Sequence, residues 1–247
     1  MSPLNRKLSR RDVIEALGLA GAAFLSACAS SPTGASSTTT TGTTTTTGGT
    51  SSGASCAVTP EETAGPYPDR TGMIGNPAFI RQDITEGRSG LPLTLALTIV
   101  NVNKSCGAVT IASVEVWQCD ASGNYSEYAQ PGYNGTGQTF LRGVQPTDSQ
   151  GLATFRTIYP GWYMGRATHI HLEVFVNGAV VKTTQMAFPE NISSSVYRTG
   201  VYAAHGQNST SNAGDNVFSD GTQSELATLT GDTTNGYTAS LTIGIAV

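Results

Sequence analysis

Strict alternation of apolar residues constrains this chain more than any other feature. Leu93, Leu95, Leu97 and Ile99 alternate with Thr and Ala, and Val114 and Val116 flank Glu115. Ile170, Leu172, Val174 and Val176 interleave with His169, His171, Glu173 and Phe175, and the C-terminus alternates through Ala239, Leu241, Ile243, Ile245 and Val247. Successive side chains of a strand point to opposite faces, so each run reads as a half-buried strand with one core face. Turn clusters such as Asp120-Ala121-Ser122-Gly123-Asn124 and Asp148-Ser149-Gln150-Gly151 separate the runs, and no long stretch after Cys56 carries helical periodicity. The expectation is an all-β fold, a β-sandwich of immunoglobulin-like or prealbumin-like type whose long loops carry the chemistry.

The 247 residues suffice for one or two domains, but the first 55 show no core pattern, which leaves a single β domain over residues 56–247. The formal charge is −4, and residues 1–27 hold four Lys/Arg against two Asp/Glu, so the remainder carries −6. Nothing in that balance favours a nucleic-acid partner.

Arg6, Lys7, Arg10 and Arg11 precede a short apolar stretch, Val13 to Ala27, interrupted by Glu15. Residues 1–27 therefore read as an export signal peptide, too short for a convincing membrane span. Arg10-Arg11 after Ser9 resembles a twin-arginine signal, although Val13-Ile14 stand where Phe-Leu is commoner, and the general secretory route stays open. Leu25-Ser26-Ala27-Cys28 resembles a lipobox, in which Cys28 becomes the lipidated first residue; the alternative is a plain signal peptide with an unmodified cysteine. Residues 28–55 form the expected tether: after Cys28 they are Ser, Thr, Gly and Ala with one Pro and no charge, a composition that buries no apolar surface. As a tether they reach roughly 30 Å. An exported lipoprotein held at the cell surface or in the periplasm is the expectation.

With Cys28 acylated, Cys56, Cys106 and Cys119 remain in an oxidising compartment, enough for one disulfide and one buried thiol. Cys106 and Cys119 flank an expected strand, Val109 to Gln118, that would hold them roughly 30 Å apart. The expected bridge is Cys56–Cys106, with Cys119 free.

The run Tyr159 to His171, YPGWYMGRATHIH, gathers two of the three histidines, two tyrosines and Arg166 into thirteen residues. On an extended segment His169 and His171 project from one face and form a metal clip, although paired histidines on a strand also occur as ordinary core or surface residues.

Five segments occur in an order that resembles the intradiol ring-cleavage dioxygenases, a family that includes catechol 1,2- and protocatechuate 3,4-dioxygenases: TPEETAGPYPDR (Thr59 to Arg70), VEVWQCDASGNYS (Val114 to Ser126), FLRGVQPTDSQG (Phe140 to Gly151), FRTIYPGWY (Phe155 to Tyr163) and GRATHIH (Gly165 to His171). The match spans about residues 56 to 190 and is nearest to the family's exported, stand-alone branch. The resemblance implies a β-sandwich holding a non-haem ferric ion, Fe(3+), by Tyr125, Tyr163, His169 and His171. Phenolates are hard anionic donors that favour the trivalent ion, and neutral imidazoles complete the set. It also implies an aromatic diol substrate and O2, with cleavage between the two hydroxyl-bearing carbons to a muconate-type diacid. Tyr163 and a bound hydroxide would be displaced by the incoming diol and take up its protons. Arg166 would stabilise negative charge developing on the ring, Gln185 would stand beside the substrate, and Tyr67 would line the pocket.

Other residues have plainer expectations. Tyr128 and Tyr133 lie near Tyr125 but outside its motif, Tyr159 and Trp162 read as packing or pocket wall, Arg142 as an ion-pair partner, and His205 as a loop residue. The interval from Tyr163 to Arg166 is shorter than in protocatechuate enzymes, which implies a pocket open on one side. The helical N-terminal dimerisation region of catechol 1,2-dioxygenases has no counterpart, so the oligomeric state stays open. Competing functions are a non-turnover ferric- or catechol-binding module on the same fold, a zinc hydrolase built on His169 and His171, and a sandwich used only for carbohydrate binding or adhesion.

Overall fold

The computed structural model describes residues 56–247, which lie in one compact unit. Residues 1–27 and 28–55, read above as an export signal and a tether, fall outside the described residues together with Cys28. In chain order the strands are β1 (Pro92–Asn101), β2 (Gly107–Ala108), β3 (Ala112–Trp117), β4 (Ala129–Gln130), β5 (Tyr133–Asn134), β6 (Arg142–Pro146), β7 (Leu152–Ile158), β8 (His169–Val176), β9 (Ala179–Ala187), β10 (Thr228–Asp232) and β11 (Gly236–Ile245). The one α-helix among the described residues is α1 (Glu190–Val196).

Two sheets face each other, as the alternation requires. The first runs β10-β11-β1, with β2 and β7 both pairing with β1; the second runs β6-β3-β8-β9. β1 and β11 are parallel and in register from Leu93↔Tyr237 to Asn101↔Ile245, while the pairs in the second sheet are antiparallel. The core between the sheets contains Leu93, Leu95, Leu97, Ile99, Val114, Val116, Ile170, Leu172, Val174, Ala239, Leu241, Ile243 and Ile245. Burying each such side chain stabilises the fold by about 1.5–3 kcal/mol.

Three local expectations shift. Val247 lies beyond β11 and is exposed, because no strand continues past Ile245. β3 begins at Ala112 rather than Val109, since Thr110 and Ile111 form a turn after the short β2. β8 is buried on both faces: His169, His171 and Phe175 lie opposite the core yet are covered.

The cover is the segment 59–80, which crosses the outer face of the second sheet from β9 to β6. Thr59 N–H donates to the Gly244 carbonyl, Glu62 N–H to the Thr183 carbonyl on β9, and Ile80 bridges Val144 on β6. Cys56–Cys106, the expected bridge, closes at Cα–Cα 5.6 Å and ties the start of this strap to the turn after β1, while Cys119 is free and buried.

Candidate metal centre

The outer end of β8 carries the site. His169 and His171 alternate with Ile170, whose side chain enters the core, so both imidazoles emerge beneath the strap. Trp117 of β3 is in register with His171 and stacks on it, ring centroids 4.9 Å apart and planes 1° from parallel. Gly65 of the strap, at φ +72°, passes directly over the same ring; a Cβ there would stand 2.7 Å from His171 Cε1. Only a residue without a side chain, free to take this left-handed backbone, fits.

Tyr125 arrives from the turn after β3. Asp120 Oδ1 accepts from the Ser122 and Asn124 N–H groups, Gly123 takes φ +82°, and Tyr125 N–H donates to Gln130 Oε1 at 2.6 Å. Arg142, fully buried, fixes the far side of this turn. Its Nε donates to Ser126 Oγ at 2.9 Å and its Nη2 to the Ser126 and Tyr67 carbonyls at 3.0 Å, while Glu127 pairs with it at 3.5 Å. Arg142 is thus an ion-pair partner, as expected, and also the clamp that holds Tyr67 and the Tyr125 turn together.

Tyr163 comes from the Tyr159-to-Arg166 loop. Trp162 Nε1–H donates to the Gly206 carbonyl at 3.0 Å, and His205 Nε2 donates to the Trp162 carbonyl at 2.8 Å with the two rings 4.5 Å apart. His205 therefore braces the loop that presents Tyr163; the sequence marked it only as a loop residue because its partners lie 43 positions away. Tyr159 lies in the core and Trp162 packs against it, as expected.

The donors converge. His169 Nε2 lies 3.1 Å from His171 Nε2 and 3.4 Å from Tyr163 Oη. Tyr125 stands with its ring centroid 5.7 Å from Tyr163 and 6.2 Å from His171. Tyr67 stacks on Tyr125 at 4.7 Å and meets Tyr163 edge-on at 5.9 Å, a wall for the same space. Tyr128 and Tyr133 are elsewhere, donating to the Pro68 carbonyl and to Gln138 Oε1 respectively.

The electrostatics fit a hard cation. Ala167 O can only accept, so His169 Nδ1, 2.6 Å away, carries the proton and leaves the Nε2 lone pair facing the other donors. Burial, then the Arg166 charge, pushes His169 down to about 3, and burial followed by His169 holds His171 well below the imidazole range; both rings are neutral, as a cation would need them. Burial pushes Tyr163 up to about 12 against the pull of Arg166, and Tyr125 well above its ordinary value. The Tyr125 hydroxyl is buried with no hydrogen-bond partner. Two phenols that desolvation keeps protonated, one of them unpaired, become low-energy anionic ligands only when a cation supplies the missing charge.

Arg166 borders the donors, with Nη1 3.3 Å from Tyr163 Oη and 3.4 Å from His169 Nε2. Its Nη2 donates to Gln185 Oε1 at 2.5 Å, and Gln185 Nε2 donates to the Thr63 carbonyl at 2.7 Å. Gln185 thus links the arginine to the strap. Asp215 was invisible in the sequence: it is buried and accepts from Arg166 Nε at 2.8 and 3.0 Å. The structure therefore brings together Tyr67, Tyr125, Tyr163, Arg166, His169, His171 and Gln185.

Comparisons with known proteins agree with this geometry. The family model Dioxygenase_C, described as dioxygenase, matches residues 65–207. An intradiol ring-cleavage dioxygenase from Tetranychus urticae superposes with a TM-score of 0.69 at 29% identity, over 77% of this chain and 95% of that one. The dioxygenase domain of a dioxygenase–carbohydrate-binding protein fusion from the cellulolytic bacterium Streptomyces sp. SirexAA-E gives 0.55 at 27% identity, over 77% and 99%. A hydroxyquinol 1,2-dioxygenase from Pseudomonas putida, at 17% identity and a TM-score of 0.55 over 78% and 68%, shares the fold. No curated protein matches. A matching family model over more than half of the chain, on a sandwich that gathers the motif residues at one end of β8, establishes that this chain belongs to the intradiol ring-cleavage dioxygenases, a family of oxidoreductases.

Proposed function

We propose that the protein is a non-haem ferric intradiol dioxygenase that cleaves catechol-type aromatics with O2 between the two hydroxyl-bearing carbons, giving muconate-type diacids. The observation that carries this reading is the convergence of two buried phenols and two neutral imidazoles beside one arginine. Tyr125, Tyr163, His169 and His171 would hold the ion, and ferric iron would supply a Lewis acid that binds the diol as a dianion and renders its ring reactive toward O2. A zinc hydrolase would be expected to use histidine, cysteine or carboxylate ligands rather than two tyrosines.

The chain's own residues divide the remaining work. Tyr163 is the less enclosed of the two tyrosines and is the one that exchanges with substrate. Its phenol oxygen would accept one of the two protons the diol gives up, which its high intrinsic basicity favours, and solvent would take the other. Arg166 turns Nη1 toward the donors and stabilises negative charge on the bound ring. Tyr67, edge-on to Tyr163, orients an aromatic ring and excludes water from one side. Residues 1–27, Cys28 and the 28–55 tether support export and lipid anchoring of this domain.

The test is colour and oxygen uptake. Iron-loaded protein should absorb in the visible through tyrosinate-to-iron charge transfer, and Tyr163→Phe and His169→Ala should weaken or abolish the band. Oxygen electrode traces with catechol, protocatechuate and hydroxyquinol should show uptake with at least one. A colourless, zinc-containing protein would overturn the reading, and a coloured protein inert toward every diol would leave a binding module. Cys28→Ser should release the protein from membranes.

A further inference from the structure

We propose that Asp215 is the positioning residue of this site, the group that decides which edge of the Arg166 guanidinium faces the reacting molecules. The proposal rests on the reading of Arg166 as a charge-stabilising residue.

A guanidinium offers three nitrogens in a rigid plane, so fixing two of them fixes the third. Here Nε is held by both oxygens of Asp215, at 3.0 and 2.8 Å, and Nη2 by Gln185 Oε1. Nη1 is left to point at Tyr163 Oη and His169 Nε2. Gln185 is a neutral amide on a strand, and by itself leaves the plane free to swing about one contact. Asp215 removes that freedom. Its side chain is 0% exposed, Oδ2 also accepts from Ala167 N–H at 2.7 Å, and Oδ1 from Val217 N–H at 2.9 Å. The carboxylate is therefore held at both oxygens by backbone N–H groups before it meets the arginine. It also ties the guanidinium to the backbone two residues ahead of His169, so arginine and metal ligand move as one unit.

The neighbourhood of Asp215 is built for the same purpose. Asn208 Nδ2 donates to the Arg166 carbonyl at 3.0 Å, and the Phe218 ring lies 5.9 Å from the guanidinium carbon. These residues all follow position 207, where the family model match ends, so the arginine lies inside the matched region and its holder outside it.

The experiment is a double-mutant cycle with two readouts on the full chain. In steady-state kinetics with catechol, Asp215→Asn should lower kcat by about 10- to 100-fold with KM changed less than about 3-fold, because the lost stabilisation belongs to the transition state. In the Arg166→Gln background the same substitution should change kcat less than about 2-fold. In thermal melts without iron, Arg166→Gln should lower the Tm by several degrees by leaving a buried carboxylate uncompensated, and adding Asp215→Asn should recover most of that loss. Equal kcat losses in both backgrounds, or unchanged kcat in Asp215→Asn, would overturn the positioning role while leaving Arg166 in place. Wild-type turnover in Arg166→Gln would instead refute the reading of Arg166, and the proposal would fall with it. Should Asp215→Asn fail to fold alone, a double variant that folds better than Arg166→Gln still supports the pair, and one that does not refutes it.

Discussion

The indole of Trp117 and the imidazole of His171 lie parallel to within 1°, 4.9 Å apart, on neighbouring strands in register. This stack fixes the ring plane of a proposed metal ligand, as outer contacts commonly do at metal sites. Trp117→Ala should cost about 3–5 kcal/mol of stability by opening a cavity. It should also weaken iron binding by about 10- to 100-fold. Urea unfolding and competition with a chelator measure the two effects separately.

Gly65 closes on the same ring at its Cε1 atom. Gly65→Ala combines a left-handed backbone with a 2.7 Å clash against His171, whereas Gly72→Ala carries the same backbone demand, φ +76°, with nothing within 4 Å. Both should lose about 1 kcal/mol or more. Only Gly65→Ala should also reduce the iron content and the visible band.

Glu115 gives the domain a pH dependence. Burial, followed by Asp69, Glu173 and Glu127, pushes its carboxyl up to about 8, with Arg142 pulling the other way. Its ordinary value is 4.5, so between these limits the folded state holds a proton that the unfolded chain has released. The stability due to this group is fully present below pH 4.5 and is lost as pH rises through about 8. Glu115→Gln should match the wild type at pH 4.5 and exceed it above pH 8, by on the order of a few kcal/mol, in urea midpoints across pH.

The Cys56–Cys106 bridge closes a separation of 50 residues and anchors the strap that covers His171 and meets Gln185. Replacing both cysteines by serine should cost about 2–4 kcal/mol. Cys119 is buried and burial raises its thiol above the ordinary range, so a thiol reagent should label it only after unfolding.

The legible part of the site was local. His169 and His171 share a face because a strand repeats every two residues, and the turn around Asp120 presents Tyr125 through spacings of two to five residues. The clamp that Arg142 makes beyond its ion pair, the brace of His205 and the hold of Asp215 on Arg166 were hidden because their partners lie 16 to 75, 43 and 48 to 49 positions away, and no periodicity encodes such pairs. The covered second face of β8 was hidden for the same reason. Alternation reports that a residue leaves the core, and it cannot report that the segment 59–80 returns to cover it.

Short-range pattern was enough for the all-β fold, the core faces of its strands and the residue types that mark the family, while chain reach excluded only a Cys106–Cys119 bridge. Tertiary structure alone decided how those residues act together: it brought Gly65 over His171, laid Trp117 beneath it, and set Asp215 against Arg166. The physical reason is that ring orientation and guanidinium direction are fixed by contacts between distant segments, which exist only after the sandwich has closed.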